Sequence, residues 1–293
     1  MLSLTVSALC SQCTKPPFAM VYGGRTMGTT WSLHTLETPV DQNEIQSELD
    51  SLESIFSTWN PASEISRFNR HPAALPFAAS AELAAAIQFA AEMHNRTEGV
   101  LDPTVGPLVA AFGYGPPALA DPNSVPCFGA ISFESASQTL IKQRASATLD
   151  FSCFVEGLAL DRIASRLEST GHRSFLLEIG GELLARGSGP DGAGWPTGVQ
   201  TPGAPAGQIF TTLRLYNEAL ATSGNYTQRG HIIDPRTRQP VTHDTVSVSV
   251  IARSAMQADA WATALLVHGA ESGRPIAEHH GIEALFLKSP LKN

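Results

Sequence analysis

Two oxygen-bearing side chains near the C-terminal end of the chain have the spacing of a cation site. Asp259 and Thr263 are four residues apart in a segment that Ser254 is predicted to cap as a helix reaching about His268. Both side chains therefore lie on one face of that helix. Mg²⁺ takes oxygen ligands and often keeps phosphate oxygens among them, which suits a carboxylate, a hydroxyl and a pyrophosphate. The same spacing is typical of a solvated helix face, and this alternative stays open.

Two other segments contain residue types that occur in nucleotide sites. Gly180 and Gly181 lie between two apolar runs, which predicts a hairpin turn. The alternative is a loop that binds phosphate, which the sequence favours less. Residues 231–235 (HIIDP) provide His231 and Asp234 as candidates for proton transfer. A strand that ends in a turn, with His231 simply exposed, explains the same residues.

Several common catalytic motifs are absent from the sequence. No G-x-x-x-x-G-K-[ST] occurs, and no predicted strand is followed by G-x-G-x-x-G, so the P-loop and Rossmann folds are disfavoured. The chain also has no G-x-S-x-G, which sets aside serine hydrolases with a nucleophile elbow.

The elements that position these residues alternate between helical and strand patterns. Helices are predicted to begin at the caps Asp41, Ser80 and Ser254, to run between Glu156 and Gly171, and to end near Gly281. Strands are predicted at residues 30–34, 175–179, 183–185, 211–216, 246–251 and 282–287. Gly23 and Gly24 indicate a turn, and residues 113–130 and 187–207 indicate loops. This order predicts one α+β domain over residues 18–293, with helices packed on a mainly antiparallel sheet.

Composition narrows the classes of partner. The 293 residues are 43% hydrophobic and 16% charged, with a formal net charge of −8, which is typical of a globular protein. So acidic a chain leaves no basic patch for a phosphate backbone, and nucleic acid is not an expected partner. An anionic nucleotide would need a metal ion or backbone donors instead.

The first residues resemble a bacterial lipoprotein leader. Residues 1–9 are apolar and precede Cys10, although no Lys or Arg comes before the apolar run and Leu9 is larger than the residue expected there. We therefore treat residues 1–17 as a leader-like or disordered segment. The corresponding expectation is a periplasmic protein anchored to the inner membrane; the alternative is a cytoplasmic protein that starts at Met1.

From about residue 24 to the C-terminus the chain resembles the FAD:protein FMN transferase family, the ApbE type, with the family's motifs in the same order. The resemblance rests on residues 25–30 (RTMGTT), 56–61 (FSTWNP), 63–69 (SEISRFN), 101–108 (LDPTVGPL), 149–151 (LDF), 156–157 with Asp161, 180–181, 221–226 (ATSGNY), 231–235 (HIIDP) and 258–263 (ADAWAT). The resemblance implies a T-fold-like flavin transferase fold. It further implies that Mg²⁺ contacts the pyrophosphate of FAD, and that the FMN half passes to a Thr or Ser hydroxyl of an acceptor protein with release of AMP.

The resemblance also implies roles for particular residues. Asp259 and Thr263 become side-chain ligands of Mg²⁺, and backbone carbonyls near Cys153 and Ala262 complete the metal site. The family's FAD-contacting positions are occupied here by Met27, Trp59, Val100, Leu101, Asp102, Asp150, Glu156 and Ile233. Trp59 stands where the family usually has Tyr, and it keeps an aromatic face for stacking. Glu156 stands where many relatives have Lys.

Two alternatives share the same ligand. One is an Mg²⁺-dependent FAD pyrophosphatase, in which water replaces the acceptor hydroxyl and yields FMN and AMP. The other is a non-catalytic flavin-binding protein. The resemblance implies an acceptor with a flavinylation-site Thr in a subunit of a membrane redox complex.

Overall fold

The computed structural model describes residues 20–205, 207–226 and 230–289. These residues form a single α+β domain, as the sequence predicts. The leader-like segment 1–17, with its Cys10, lies outside the described residues. Among the residues that are described, no helix combines the length and the apolar character that crossing a membrane requires.

Helices and strands alternate along the chain. The helices are α1 (Gln42–Phe56), α2 (Glu64–Arg70), α3 (Ala81–Arg96), α4 (Gly106–Ala111), α5 (Val155–Ser169) and α6 (Ala255–His280). The strands are β1 (Met20–Thr26), β2 (Thr29–Thr35), β3 (Phe77–Ala78), β4 (Ile131–Glu134), β5 (Thr139–Lys142), β6 (Phe175–Ile179), β7 (Glu182–Arg186), β8 (Trp195–Gln200), β9 (Ile209–Leu215), β10 (Ala219–Gly224), β11 (Ile233–Asp234), β12 (Gln239–Pro240), β13 (Thr245–Ala252) and β14 (Glu283–Lys288).

Seven strands form the main sheet, in the order β1-β2-β6-β7-β10-β13-β14, and each pairs antiparallel with its neighbours. Sequence neighbours such as β6 and β7 are joined by a tight turn, and Gly180 there has a φ of 63°, a conformation that favours glycine. The hairpin predicted at Gly180 and Gly181 is therefore confirmed.

The predicted helices follow from their caps and apolar spacing. Asp41 caps α1 by accepting a hydrogen bond from the backbone N of Asn43, and Ser80 caps α3 by accepting one from Leu83. Each helix buries one apolar face, which in α1 consists of Ile45, Leu49, Leu52 and Phe56.

Both faces of the main sheet are covered. The helices bury one face in the principal core, to which the sheet contributes Leu33, Leu177, Leu184, Val248 and Val250. The ribbon of β8 and β9 covers part of the other face through Trp195, Val199 and Leu215, which pack with Ala185, Leu220 and Leu287. Successive residues of a strand point to opposite faces, so Leu184 and Ala185 of β7 belong to different clusters.

Helix α6 is interrupted where the sequence predicts two helices. Gly269 has a φ of 70° and a ψ of 170°, which breaks the helical path one residue after His268. The second part ends at Gly281 in the left-handed conformation, with a φ of 64°. The first part carries both predicted metal ligands and is almost entirely buried.

Two predictions about irregular segments are wrong. Gly23 and Gly24 lie inside β1 opposite Ser32 and Trp31, and a Cβ at Gly24 would lie 2.6 Å from Nε1 of Trp31. The absence of a side chain at Gly24 therefore lets the Trp31 indole pack closely against the strand. The turn between β1 and β2 is formed by Met27 and Gly28 instead. Residues 187–207 are likewise not all loop, because β8 lies within them and alternates buried with exposed side chains.

Candidate functional site

A cleft of about 860 Å³ opens where turns and helix ends from distant parts of the chain converge. The β1–β2 turn, the β6–β7 turn, the end of β10, the start of α5 and the first part of α6 all contribute to its lining. Ligand pockets commonly have volumes of about 300–1,000 Å³. The cleft is therefore large enough for a nucleotide, and it joins segments that are far apart in sequence.

Asp259 and Thr263 both line this cleft from α6. Only 6% of Asp259 is exposed, and its Oδ2 accepts a hydrogen bond of 3.2 Å from the backbone N of Gly157. Thr263 Oγ1 and Ser223 Oγ are 3.0 Å apart and share a hydrogen bond. A solvated helix face does not describe this arrangement, because the carboxylate is buried and already aimed between two helices.

The start of α5 and the start of α6 are held together closely. A Cβ at Gly157 would lie 2.4 Å from the backbone oxygen of Ala255, so only glycine permits this approach. The Asp161 carboxylate then accepts hydrogen bonds from Ser254 Oγ at 2.7 Å and from the backbone N of Ala255 and Met256. A carboxylate at a helix N-terminus also interacts favourably with the positive end of the helix dipole. This clamp fixes Asp259 relative to α5.

Several carboxyl groups in the cleft have raised pKa values. Burial, followed by the nearby charges of Glu182 and Glu156, raises the pKa of Asp259 well above its ordinary value. Burial also raises the pKa of Glu156 to about 7, and burial together with Glu156 raises that of Glu182 to about 8. Burial and like charges both disfavour the ionised form. The cleft therefore gathers carboxyl groups whose ionised form lacks a compensating positive charge.

The lining supplies little positive charge. Among the described residues that line the cleft, none is Lys or Arg. Asp150 also lines it, and burial raises the pKa of its carboxyl despite hydrogen bonds from Ser152. Burial and the charges of Asp259 and Asp150 raise the pKa of the Cys153 thiol, which stays protonated. The described lining therefore offers no basic side chain to a phosphate group.

Most of the residues predicted from the sequence meet in the cleft. Its lining includes Met27, Val100, Leu101, Asp102, Asp150, Cys153, Glu156, His231, Ile233, Asp259 and Thr263. Three predicted residues are not in the lining. Trp59 is 64% exposed, Ala262 is fully buried within α6, and Asp234 is turned toward another partner.

That partner is Arg236. Its Nη2 lies 2.9 Å from Asp234 Oδ2, and its Nε donates to Oδ1 at 3.0 Å. Burial alone would raise the pKa of Asp234, but the hydrogen bonds and charge of Arg236 outweigh burial and lower it. Of the two candidates for proton transfer, only His231 therefore faces the cleft.

The sequence analysis did not single out several residues of the lining. Glu182 follows the Gly180–Gly181 turn directly and lines the cleft, where the charge of Glu156 helps to raise its pKa after burial. Ser223 reaches Thr263 from β10, and Tyr114 and Tyr226 add aromatic rings to the rim. Ser223 and Tyr226 lie within a recognised motif, residues 221–226. No local pattern distinguishes Glu182 or Tyr114, because their contacts depend on the tertiary fold.

The domain is thus an α+β protein with a nucleotide-sized, acidic cleft between antiparallel strands and two clamped helices. The sequence model of the ApbE family matches residues 27–286, and the chain belongs to that family. It is an enzyme of the flavin transferase kind.

Relatives and solved structures agree on this family. The chain is 33% identical to the FAD:protein FMN transferase of Vibrio cholerae, over 98% of this chain and 92% of that protein. It is 30% identical to the enzyme of the same name from Escherichia coli K12, over 91% of this chain and 83% of that protein. The structure of the flavin transferase ApbE from Vibrio cholerae superposes with a TM-score of 0.83 at 34% identity, covering 93% of this chain and 94% of the other. The apo form of the Pseudomonas stutzeri flavinyl transferase ApbE gives a TM-score of 0.84 at 29% identity, covering 94% and 92%.

Proposed function

We propose that this protein transfers the FMN moiety of FAD to a threonine or serine hydroxyl of an acceptor protein, with Mg²⁺ as cofactor and AMP as the released product. The observation that carries the proposal is the convergence of Asp259 and Thr263 on a cleft whose described lining has carboxylates but no Lys or Arg. A pyrophosphate enters such a cleft only with a cation that offsets both sets of negative charge.

The residues present fit Mg²⁺. The buried carboxyl of Asp259 accepts a hydrogen bond from Gly157 and has a raised pKa, so a cation beside it would favour its ionised form. No three His, Cys, Asp or Glu side chains in the described part of the chain stand close enough together to hold a metal ion. Thr263, the backbone carbonyls of Cys153 and Ala262, and phosphate oxygens would therefore complete the ligand set.

The remaining predicted residues bind FAD in this proposal. Met27, Val100, Leu101, Asp102, Asp150, Glu156 and Ile233 contact it within the cleft. Trp59, which is exposed outside the lining, offers its ring to a part of FAD that extends beyond the cleft. When bound, Mg²⁺ supplies the positive charge that balances the phosphate oxygens during transfer.

The reaction is a displacement at phosphorus. The acceptor hydroxyl oxygen forms a bond to the phosphorus of the FMN half, and the bond from that phosphorus to the bridging oxygen breaks. The bridging oxygen leaves with AMP. His231, which lines the cleft, accepts the proton of the hydroxyl as general base.

One experiment separates transfer from hydrolysis. The protein is incubated with FAD and Mg²⁺, with and without an acceptor domain, and the products are followed by mass spectrometry and by chromatography of free flavin. The proposal expects FMN bound covalently to the acceptor together with an equal amount of AMP. Rapid formation of free FMN without acceptor, and no modified acceptor, would establish the pyrophosphatase alternative instead. FAD that stays intact under both conditions would establish the non-catalytic alternative.

The acceptor and the compartment belong to the same proposal. We expect the acceptor to be a subunit of a membrane redox complex with a flavinylation-site Thr, and the enzyme to work in the periplasm, anchored to the inner membrane. Fractionation of cells followed by N-terminal sequencing tests the second point. Recovery from the cytosol with Met1 intact would contradict it.

A further inference from the structure

The segment that follows α4 brings an aromatic ring to the rim of the cleft. The backbone N of Tyr114 donates to the carbonyl of Val109 at 3.1 Å, and that of Gly113 donates to Ala110 at 3.0 Å. Gly113 has a φ of 90°, a conformation that favours glycine. These bonds fix Tyr114 three residues beyond the end of α4, with its ring lining the cleft.

The ring of Tyr114 contacts the imidazole of His231. Their centroids are 5.9 Å apart and their planes are inclined by 62°, an edge-to-face arrangement that aromatic pairs favour. Gly230, with a φ of 95°, precedes the histidine, and a Cβ built there would lie 3.8 Å from the Tyr114 ring and hydroxyl. The positive φ favours glycine at this position, and a Cβ there would make only an ordinary van der Waals contact with the ring.

His231 itself lies outside regular secondary structure. The short strand β11 begins two residues later, at Ile233, and His231 lies in the irregular segment before it. A histidine on an irregular segment can adopt several staggered rotamers, and each unproductive one reduces the fraction of molecules ready for proton transfer. The neighbouring ring restricts these rotamers because it occupies one side of the imidazole.

We propose that Tyr114 is a positioning residue whose ring holds the His231 imidazole toward the cleft, in reach of the acceptor hydroxyl. This inference rests on the proposed function, in which His231 accepts the proton of that hydroxyl. Tyr114 acts through the histidine by the shape and position of its ring. General bases work only within about 3 Å of the proton they accept, and small misplacements lower rates strongly.

The kinetic test uses three substitutions, each made in the wild-type and in the His231→Asn background. Tyr114→Leu removes the ring, Tyr114→Phe keeps it, and Tyr216→Leu is a matched control at a tyrosine that is 56% exposed and outside the cleft lining. FMN transfer to an acceptor domain is measured with FAD and Mg²⁺. We expect Tyr114→Leu to lower kcat about tenfold while KM for FAD changes less than about threefold, and Tyr114→Phe to recover most of the rate. In the His231→Asn background Tyr114→Leu should cost nothing further.

A second measurement does not depend on activity. The Cε1–H resonance of His231, assigned by its loss in His231→Asn, is shifted by the ring current of Tyr114. Tyr114→Leu should move this resonance, and Tyr114→Phe should leave it near its wild-type position. Thermal melts of all variants confirm that they fold.

Each outcome bears on one proposal or both. An equal loss from Tyr114→Leu in both backgrounds, a loss from Tyr114→Phe as large as that from Tyr114→Leu, or an unmoved His231 resonance would overturn the positioning role alone. A wild-type protein that transfers no FMN, or a His231→Asn variant with full activity, would refute the proposed mechanism and this inference with it.

Discussion

The proposed cation site on α6 is tested most directly by Asp259→Asn. Asparagine has nearly the shape of aspartate and can still accept the hydrogen bond from Gly157, which is 3.2 Å long, but it lacks the negative charge that attracts a metal. The substitution therefore separates the metal ligand from the structural contact. Alanine would do this less cleanly, because Asp259 is 94% buried and its removal also leaves a space.

The expected effects on activity and stability have opposite directions. Loss of a metal ligand removes several kcal/mol of transition-state stabilisation, and about 4 kcal/mol corresponds to roughly a thousandfold fall in rate. Stability without metal should not fall, because the neutral amide no longer repels the carboxylates of Glu156 and Glu182, whose charges raise the pKa of Asp259. We thus expect an unchanged or higher melting temperature in EDTA.

The assay measures FMN transfer to an acceptor domain across an Mg²⁺ titration, alongside melts with and without Mg²⁺. Wild-type protein should melt at a higher temperature as Mg²⁺ increases, and Asp259→Asn should lose that increase. Thr263→Ser, which keeps a hydroxyl at the second ligand and beside Ser223, is the matched control and should retain most of the rate. Near-normal transfer by Asp259→Asn at low Mg²⁺, with the Mg²⁺-dependent rise in melting temperature intact, would refute Asp259 as the ligand.

Three other predictions concern charge, packing and FAD binding. In EDTA, the free energy of unfolding should fall as pH rises from about 4.5 to about 8, because the pKa of Glu182 is raised from 4.5 to about 8 in the folded state. Over this range the folded state keeps a proton on Glu182 and the unfolded state has lost it. Urea unfolding should show a smaller fall in Glu182→Gln. Gly157→Ala should destabilise the protein by about 1–3 kcal/mol, because the added Cβ would lie 2.4 Å from the backbone oxygen of Ala255. Gly129→Ala is the control and should change the melting temperature little, because no atom lies within 4 Å of a Cβ there. Trp59→Ala should weaken FAD binding in a fluorescence titration without lowering the melting temperature, because the side chain is 64% exposed; unchanged affinity would remove Trp59 from the FAD site.

Local patterns were sufficient to predict most of the elements. The caps Asp41, Ser80 and Ser254 begin helices as expected, and the Gly180–Gly181 turn joins two strands as expected. These features depend on contacts within one turn of chain, so the sequence around them contains the necessary information. The same holds for the shared helix face of Asp259 and Thr263.

Features that depend on distant contacts were not predictable. Strand β8 follows a Gly- and Pro-rich stretch, and it forms because Trp195 and Val199 cover the second face of the main sheet. The residue type of Gly24 favours a turn, yet its lack of a side chain leaves room for the indole of Trp31. Glu182 joins the site only because β7 pairs beside β10 and faces α6. In each case a partner far along the chain overrides the local preference.

The hydrogen bonds that Asp161 makes at the start of α6 have a consequence for how the enzyme binds phosphate. Many nucleotide-binding proteins hold phosphate with the free amides of a helix N-terminus, but here Asp161 occupies the first amides of α6, and Asp259 takes an amide at the start of α5. Because those amides are occupied and the described lining has no basic side chain, we expect the retention of FAD to depend on the proposed divalent cation. Under the proposed function, occupancy by FAD would therefore follow the free Mg²⁺ concentration of the compartment, and the supply of an inorganic ion would set how much enzyme is ready to modify its acceptor.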